Sequence, residues 1–226
     1  FGTGEVYVGP SNITDVLGGE EFRDGLWITV KYLIYTVPTG LVLGLLLALV
    51  AHRRLRGIKA FQAIFASTVA TSVAVAAVVF FGLVNPKIGK FGQVSFIDLS
   101  KSDSALRAVS LTSIWQNIGL TFVIVLAGLQ AVPDQLMEAA QLDGFGPVRR
   151  LFKVTLPLIS PTLLFLVVVL MIFGFQAFAP MEILTNGDPA GSTETLVFKI
   201  FNRQGPSLIS EGSVMALGLF GLTFVV

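Results

Sequence analysis

Four uninterrupted apolar runs, at 25–51, 60–84, 109–132 and 162–184, constrain this chain more than any other feature. About 20 mainly apolar residues suffice to cross a hydrocarbon layer of ~30 Å as a helix, and each run meets that length. A backbone in lipid must satisfy its own N–H and C=O groups, so such segments fold as helices or as closed barrels. These runs are continuously apolar instead of alternating, which argues against a barrel. Hydrophobic residues make up 54% of the chain and charged ones 13%, with a mean hydropathy of +0.81, outside the soluble globular range. The expected fold is an all-α membrane protein, a polytopic transmembrane helix bundle forming one domain over 1–226.

A fifth apolar run, 213–226, stops at the last residue and is too short to span. Residues 1–24 carry no basic stretch ahead of an apolar core, so they do not read as a signal peptide. With 1–24 placed outside, a preceding span is expected. The reading is about six spans in the full protein, the first absent and the last incomplete here.

Basic residues in short connections face the cytoplasm. His52, Arg53, Arg54, Arg56 and Lys59 fill the link between the first two runs, and Arg149, Arg150 and Lys153 lie in the stretch 133–161. Alternating spans put both on one side, which is therefore cytoplasmic. Of the acids, only Asp134, Glu138 and Asp143 share that side. A net charge of +1 points neither to nucleic acid nor to a polybasic membrane sensor. Zero cysteines exclude disulfides and thiolate metal sites. The span centres carry no charge; Lys31 and Glu182 stand near outer ends. That argues against a proton- or sodium-coupled carrier, which places ionisable groups at mid-membrane; such a carrier remains a distant alternative. One histidine and no H-E-x-x-H pattern leave no catalytic or metal-ligating constellation. Pro38 with Gly40 reads as a kink in the first run. The outer segments 85–108 and 185–212 are rich in Gly, Ser, Asn and charge, as solvated connectors or as contacts for an external partner.

The stretch PDQLMEAAQLDGFGPVRRLFKVTLPLISP, 133–161, is too polar to span. Pro133 suits the first helical position and Asp134 the first turn. Leu136, Ala139, Ala140 and Phe145 recur at helical spacing as an apolar stripe, with Glu138 and Gln141 off it. Asp143-Gly144 breaks this helix, since glycine accepts the left-handed conformation at C′. Gly146-Pro147 starts a second helix with Arg149, Arg150 and Lys153 on its polar side, and Leu156-Pro157 is expected to end it. The product is a two-helix knob that a partner can grip, or an interfacial helix on the headgroups.

The order Glu138-Ala139-Ala140, Asp143-Gly144, Leu156-Pro157 resembles the EAA loop of ATP-binding-cassette importer permeases. Val154 stands where that pattern has isoleucine. LAGLQAVP (126–133), LTNGDP (184–189, with Asp188 where glycine is usual) and STETL (192–196) are also similar to this family, in the larger-subunit type of the maltose permease and of carbohydrate and glycerol-phosphate importers. The resemblance implies a multi-pass permease subunit of a prokaryotic cytoplasmic membrane, not an enzyme. It implies that Glu138, Ala139, Ala140, Asp143, Gly144, Leu156 and Pro157 couple to a pair of cytoplasmic ATP-binding subunits. ATP and magnesium would reside there, since no G-x-x-x-x-G-K-[ST] occurs in this chain, and this chain would bind no cofactor or metal. A second, homologous permease subunit and an external solute-binding protein are implied as partners.

Polar side chains within spans face the bundle interior or a watery cavity, or else bond between helices. Thr68 and Ser72 are one turn apart on the second run. Gln116, Asn117 and Thr121 lie on the third, and Gln176 on the fourth near Phe173 and Phe175. The resemblance places Thr68, Ser72, Gln116, Asn117, Leu120, Phe173 and Gln176 near the substrate-contacting positions. Amides, hydroxyls and aromatic faces suit a sugar or sugar-like polyol; glycerol-3-phosphate or a glycerophosphodiester is the alternative.

Overall fold

The computed structural model describes residues 11–52, 58–206 and 208–226, and among them every regular element is helical. Arg53, Arg54 and Arg56, expected on the cytoplasmic side, lie outside the described residues. In chain order the helices are α1 (Ser11–Gly18), α2 (Glu20–Ala51), α3 (Ile58–Ala66), α4 (Val73–Val84), α5 (Ser102–Gln130), α6 (Asp134–Leu142), α7 (Pro147–Arg150), α8 (Leu156–Phe175), α9 (Ala179–Leu184), α10 (Leu196–Asn202) and α11 (Ile209–Val225).

Three helical stretches are long and apolar enough to cross a membrane: Glu20–Ala51, Ser102–Gln130 and Pro147–Phe175. The first begins ahead of the apolar run at 25, because Glu20 and Glu21 occupy its first turn, where carboxylates favour the helix dipole. Its 32 residues extend roughly 48 Å at 1.5 Å per residue, so its ends project beyond the hydrocarbon. Pro38 lies inside without ending it.

The other two runs depart from expectation. The run 60–84 is not one helix: α3 tightens into a 3₁₀ turn at Ser67–Ala70, the chain extends through Thr71 and Ser72, and α4 leaves at 105°. The cause is local. The Ser67 hydroxyl donates to the Ile64 carbonyl at 2.7 Å and Thr68 to that of Phe65 at 2.9 Å, engaging acceptors that a continuing helix uses. Thr68 and Ser72 therefore stand on either side of a break, not on one helix face. The run 162–184 also divides: α8 ends at Phe175, Gln176 caps it, and α9 follows separately. At its other end, Leu156-Pro157 does not terminate the second loop helix. A π turn, Leu151–Thr155, joins α7 to α8. The widened turn lies just ahead of Pro157, whose ring and missing N–H an ideal α-helix would not accommodate.

The bundle is built on α2 packed along α5. Thr36, Gly40, Gly44, Ala48 and Ala51 recur at helical spacing on one buried face of α2. A Cβ at Gly40 would fall 2.6 Å from the Asn117 Cβ, and one at Gly44 2.5 Å from the Thr121 Cβ and 2.9 Å from the Ile118 carbonyl oxygen. This small-x-x-x-small stripe brings the two backbones together, the usual solution where no hydrophobic effect drives association. Toward one end, Ala48, Phe122, Val125, Ile159 and Leu166 form a core; toward the other, Tyr32, Leu106, Val109, Met181 and Phe198 do. Outward faces stay apolar, with Leu164 67% and Phe224 82% exposed, the pattern of a bundle whose solvent is lipid.

Replacement of Gly44 by valine is expected to cost about 1–3 kcal/mol or more, since the overpacked atoms belong to a backbone carbonyl and a β-branched side chain. Gly82→Ala, whose Cβ meets nothing within 4 Å, is expected to be neutral or slightly stabilising. Thermal unfolding of the purified chain in detergent distinguishes the two; equal melting would refute the packing account.

Candidate functional site

The broken span and the end of α8 leave space beside α2 and α5. A cavity of about 630 Å³ opens there. Tyr32 and Thr36 line it from α2, Ser113, Gln116, Asn117 and Leu120 from α5, Thr68, Thr71 and Val73 from the break, and Phe173, Gln176 and Phe178 from the end of α8. Of the residues expected along a substrate path, Thr68, Gln116, Asn117, Leu120, Phe173 and Gln176 are brought together. Ser72 is not: the extended backbone turns it outward, where it is exposed and begins α4. Thr121, the other polar residue noted on the third run, is fully buried against the Gly44 position.

Tyr32, Thr36, Thr71 and Ser113 were missed by the sequence reading. Tyr32 and Thr36 are four apart on the face that continues into Gly40 and Gly44, and Ser113 lies one turn before Asn117. That spacing was available as a signal. What concealed it was the apolar setting of each residue.

The hydrogen bonds sort the lining into fixed and available groups. Tyr32 donates its hydroxyl to Ser113 Oγ. Thr36 donates to the Tyr32 carbonyl at 2.9 Å, and Thr68 donates to Phe65. Gln116 Nε2 donates to the Thr71 carbonyl at 3.1 Å, bridging α5 to the break. Asn117 is only 8% exposed, yet its amide engages no protein group among the described residues. Gly40 holds it in place, because the two Cβ positions would otherwise collide. Among the described residues, no acidic, basic or histidine side chain lines the cavity. What it can do chemically is hold a small polar solute by amides and hydroxyls beside Phe173 and Phe178.

The loop expected to contact a partner has its own geometry. Pro133 precedes α6, Asp134 sits in its first turn, and Asp143 caps its end. Gly144 takes φ +76°. Its N–H donates to the Gln141 carbonyl at 3.0 Å, and that of Phe145 to Ala140 at 2.9 Å, which is a Schellman ending. The Arg149 guanidinium lies 4.2 Å over the Phe145 ring, fixing α7 against the corner. Ala140 is buried, whereas Leu136, Glu138 and Ala139 are exposed. The expected stripe of Leu136, Ala139, Ala140 and Phe145 is thus split, because the chain covers only the Ala140 side of α6. Leu142 at 90% and Phe152 at 62% exposed add apolar surface. Leu156 is half-buried and Pro157 exposed, at the start of α8.

At the opposite end the TNGDP segment turns tightly, with Asn186, Gly187, Ala190 and Gly191 all at positive φ. Glu21 pairs with Lys199 at 3.7 Å and with Arg203, while Lys199 also meets Glu194 at 3.2 Å and Arg203 meets Glu211 at 3.6 Å. This network ties α10 and the start of α11 to the start of α2. In the outer segment before α5, the Asp98 carboxyl is held below its ordinary range by the Ser100 backbone N–H and by Lys101.

Residues 40–226 match the family described as the binding-protein-dependent transport system inner membrane component, and the chain belongs to that family. An sn-glycerol-3-phosphate transport system permease protein of Yersinia pestis is 34% identical over 239 residues, covering 100% of this chain and 80% of the relative. The corresponding protein of Escherichia coli O157:H7 is 34% identical over 213 residues, covering 91% and 72%. In fold, the chain is similar to a bacterial ABC transporter importing the acidic polysaccharide alginate, with a TM-score of 0.81 at 20% identity over 99% of this chain and 82% of that one. It is also similar to a bacterial alginate ABC transporter in complex with its substrate-bound periplasmic protein, with a TM-score of 0.79 at 21% identity over 97% and 80%. The chain is an importer permease subunit of the bacterial inner membrane.

Gln116→Leu, which leaves the Thr71 carbonyl unpaired at the break, is expected to cost about 0.5–1.5 kcal/mol. Asn117→Ala loses no protein hydrogen bond and is expected to cost less. Denaturation of the two variants measures the difference; a larger loss for Asn117→Ala would overturn the assignment of the bridging amide.

Proposed function

We propose that this subunit carries a small polyol phosphate, of the glycerol-3-phosphate type, through the cavity between α2, α5 and the broken span, driven by ATP hydrolysis on separate subunits. The observation that carries the reading is a membrane-embedded cavity whose available groups are amides and hydroxyls, in a chain related along its whole length to permeases named for sn-glycerol-3-phosphate. A neutral sugar is the second reading, favoured by the uncharged lining and by Phe173 and Phe178, whose faces can stack on a sugar ring.

Coupling is assigned to the loop corner. Glu138 and Leu142 on α6 face outward, and Gly144 turns the chain so that α6 and α7 form one protrusion. A cytoplasmic ATP-binding subunit receives this protrusion in a cleft, with Glu138 meeting a basic group and the exposed alanine Ala139 allowing close approach. The π turn makes α7 continuous with α8, so a push on the knob moves α8 as a lever, and the end of that lever carries Phe173 and Gln176 of the cavity. Two ATP-binding subunits, a second permease subunit closing the cavity from the side of α4, and an external binding protein delivering solute to the end near Lys199 complete the assembly. Transport then alternates access between the two faces.

Gly144 offers a clean test because a side chain there would meet nothing within 4 Å. Gly144→Ala should therefore fold, at a cost of about 1–2 kcal/mol for the left-handed conformation, whereas Gly144→Trp and Glu138→Lys should each reduce ATP-driven uptake at least tenfold. Uptake is measured in proteoliposomes holding the complete complex, with co-purification of the ATP-binding subunit as the second readout. Normal uptake by a Glu138→Lys, Gly144→Trp double variant would remove the loop from the coupling role. Uptake driven by an ion gradient without any ATP-binding subunit would instead mark a secondary carrier.

A further inference from the structure

The cavity poses a problem of charge: a phosphate ester carries at least one negative charge, and among the described residues no cation lines the cavity. We propose that the oxoanion end of the solute is held by the N-terminus of α4, with Asn117 as the facing donor. This rests on the polyol-phosphate reading above and supplies the recognition that reading lacks.

The first turn of a helix presents N–H groups without helical acceptors and the positive end of the dipole. In α4 the side chain of Ser72 provides no cap, so the N–H groups of Val73, Ala74 and Val75 remain available; the Ala76 N–H is the first to be used, donating to the Ser72 carbonyl at 2.9 Å. Val73 and Thr71 lie on the cavity wall. At an ordinary helix break the last carbonyls of the preceding segment would confront an anion beside those donors. Here Gln116 occupies the Thr71 carbonyl and the Ala76 N–H that of Ser72, so the two carbonyls immediately ahead of α4 are engaged.

Asn117 is the independent observation. It lines the same cavity, is more than nine-tenths buried, and its amide lacks a protein partner. An amide that opens on the cavity without a protein partner has its donors free for a ligand. Ser113 adds a hydroxyl whose oxygen accepts from Tyr32, leaving its own proton for the ligand. Discontinuous membrane helices that aim N-termini at anionic groups are an established way to bind charge without burying a cation.

The test uses the full complex (both permease subunits, ATP-binding subunits and binding protein) in proteoliposomes, with sn-glycerol-3-phosphate and maltose as probes. Ser72→Asp places a carboxylate at the N-cap, where it competes for the same donors, and with assembly verified by co-purification of the complex its charge should raise the apparent KM for glycerol-3-phosphate about tenfold or more. Ser72→Asn caps the same donors without charge and should raise KM less. Asn117→Asp should act in the same direction as Ser72→Asp. Equal KM values for Ser72→Asp and Ser72→Asn, or glycerol-3-phosphate uptake indifferent to both carboxylates, would overturn the subsite and leave the permease reading intact. ATP-driven uptake of maltose with none of glycerol-3-phosphate would overturn the anion assignment alone. Absence of ATP-driven uptake of either solute would overturn the solute reading, and the subsite with it.

Discussion

The contact between α2 and α5 along Gly40, Gly44 and Ala48 is the constraint on which the rest of the molecule depends. In lipid, two apolar helices gain little from hiding surface from one another, so association depends on close van der Waals fit. The glycines supply that fit by removing side chains, and the space they leave is filled by Asn117 and Thr121 of α5. Asn117 is therefore placed by packing before it serves any ligand. Gly119 on the same helix repeats the device toward the break, since a Cβ there would collide with the Thr68 hydroxyl. The cavity is thus a by-product of where α5 is narrow.

The broken span follows from a conflict between local chemistry and membrane demand. Hydroxyls at Ser67 and Thr68 take helix carbonyls for themselves, and a lipid-facing chain cannot leave the resulting backbone groups unpaired. The break is tolerated because Gln116 reaches across and because the freed groups border a cavity instead of hydrocarbon. Thr68, one of the side chains that interrupt the helix, consequently stands in the cavity wall. At the end of α8 the division before α9 has the same result, bringing Gln176 and Phe178 to the opposite side.

The corner between α6 and α7 and the cavity are connected by continuity of helix. A loop ended at Leu156-Pro157 would behave as a hinged appendage. With a π turn absorbing the proline, α7 and α8 make one element from the exposed corner to Phe173. The exposed corner and the cavity wall at Phe173 are therefore the two ends of one helical element.

Much of this was legible without coordinates. Continuous apolar runs dictate helices in a bilayer, because no other open structure satisfies the backbone there, and Asp143-Gly144 dictates a left-handed corner, because glycine alone adopts it at no steric cost. The GxxxG stripe at Gly40 and Gly44 was equally visible, though overshadowed by Pro38. Periodicity was the weaker guide: it took 60–84 and 162–184 as single helices, since hydropathy reports solubility in lipid and is blind to a hydroxyl that captures a carbonyl. Which polar residues would meet was decided only by tertiary structure. Thr68, Gln116, Asn117 and Gln176 lie on separate elements, and their convergence, like the exclusion of Ser72 and Thr121, depends on how closely two backbones approach and at what angle a third departs. Residue identity specified the chemistry available; interhelical distance and the 105° bend selected which of it lines the cavity.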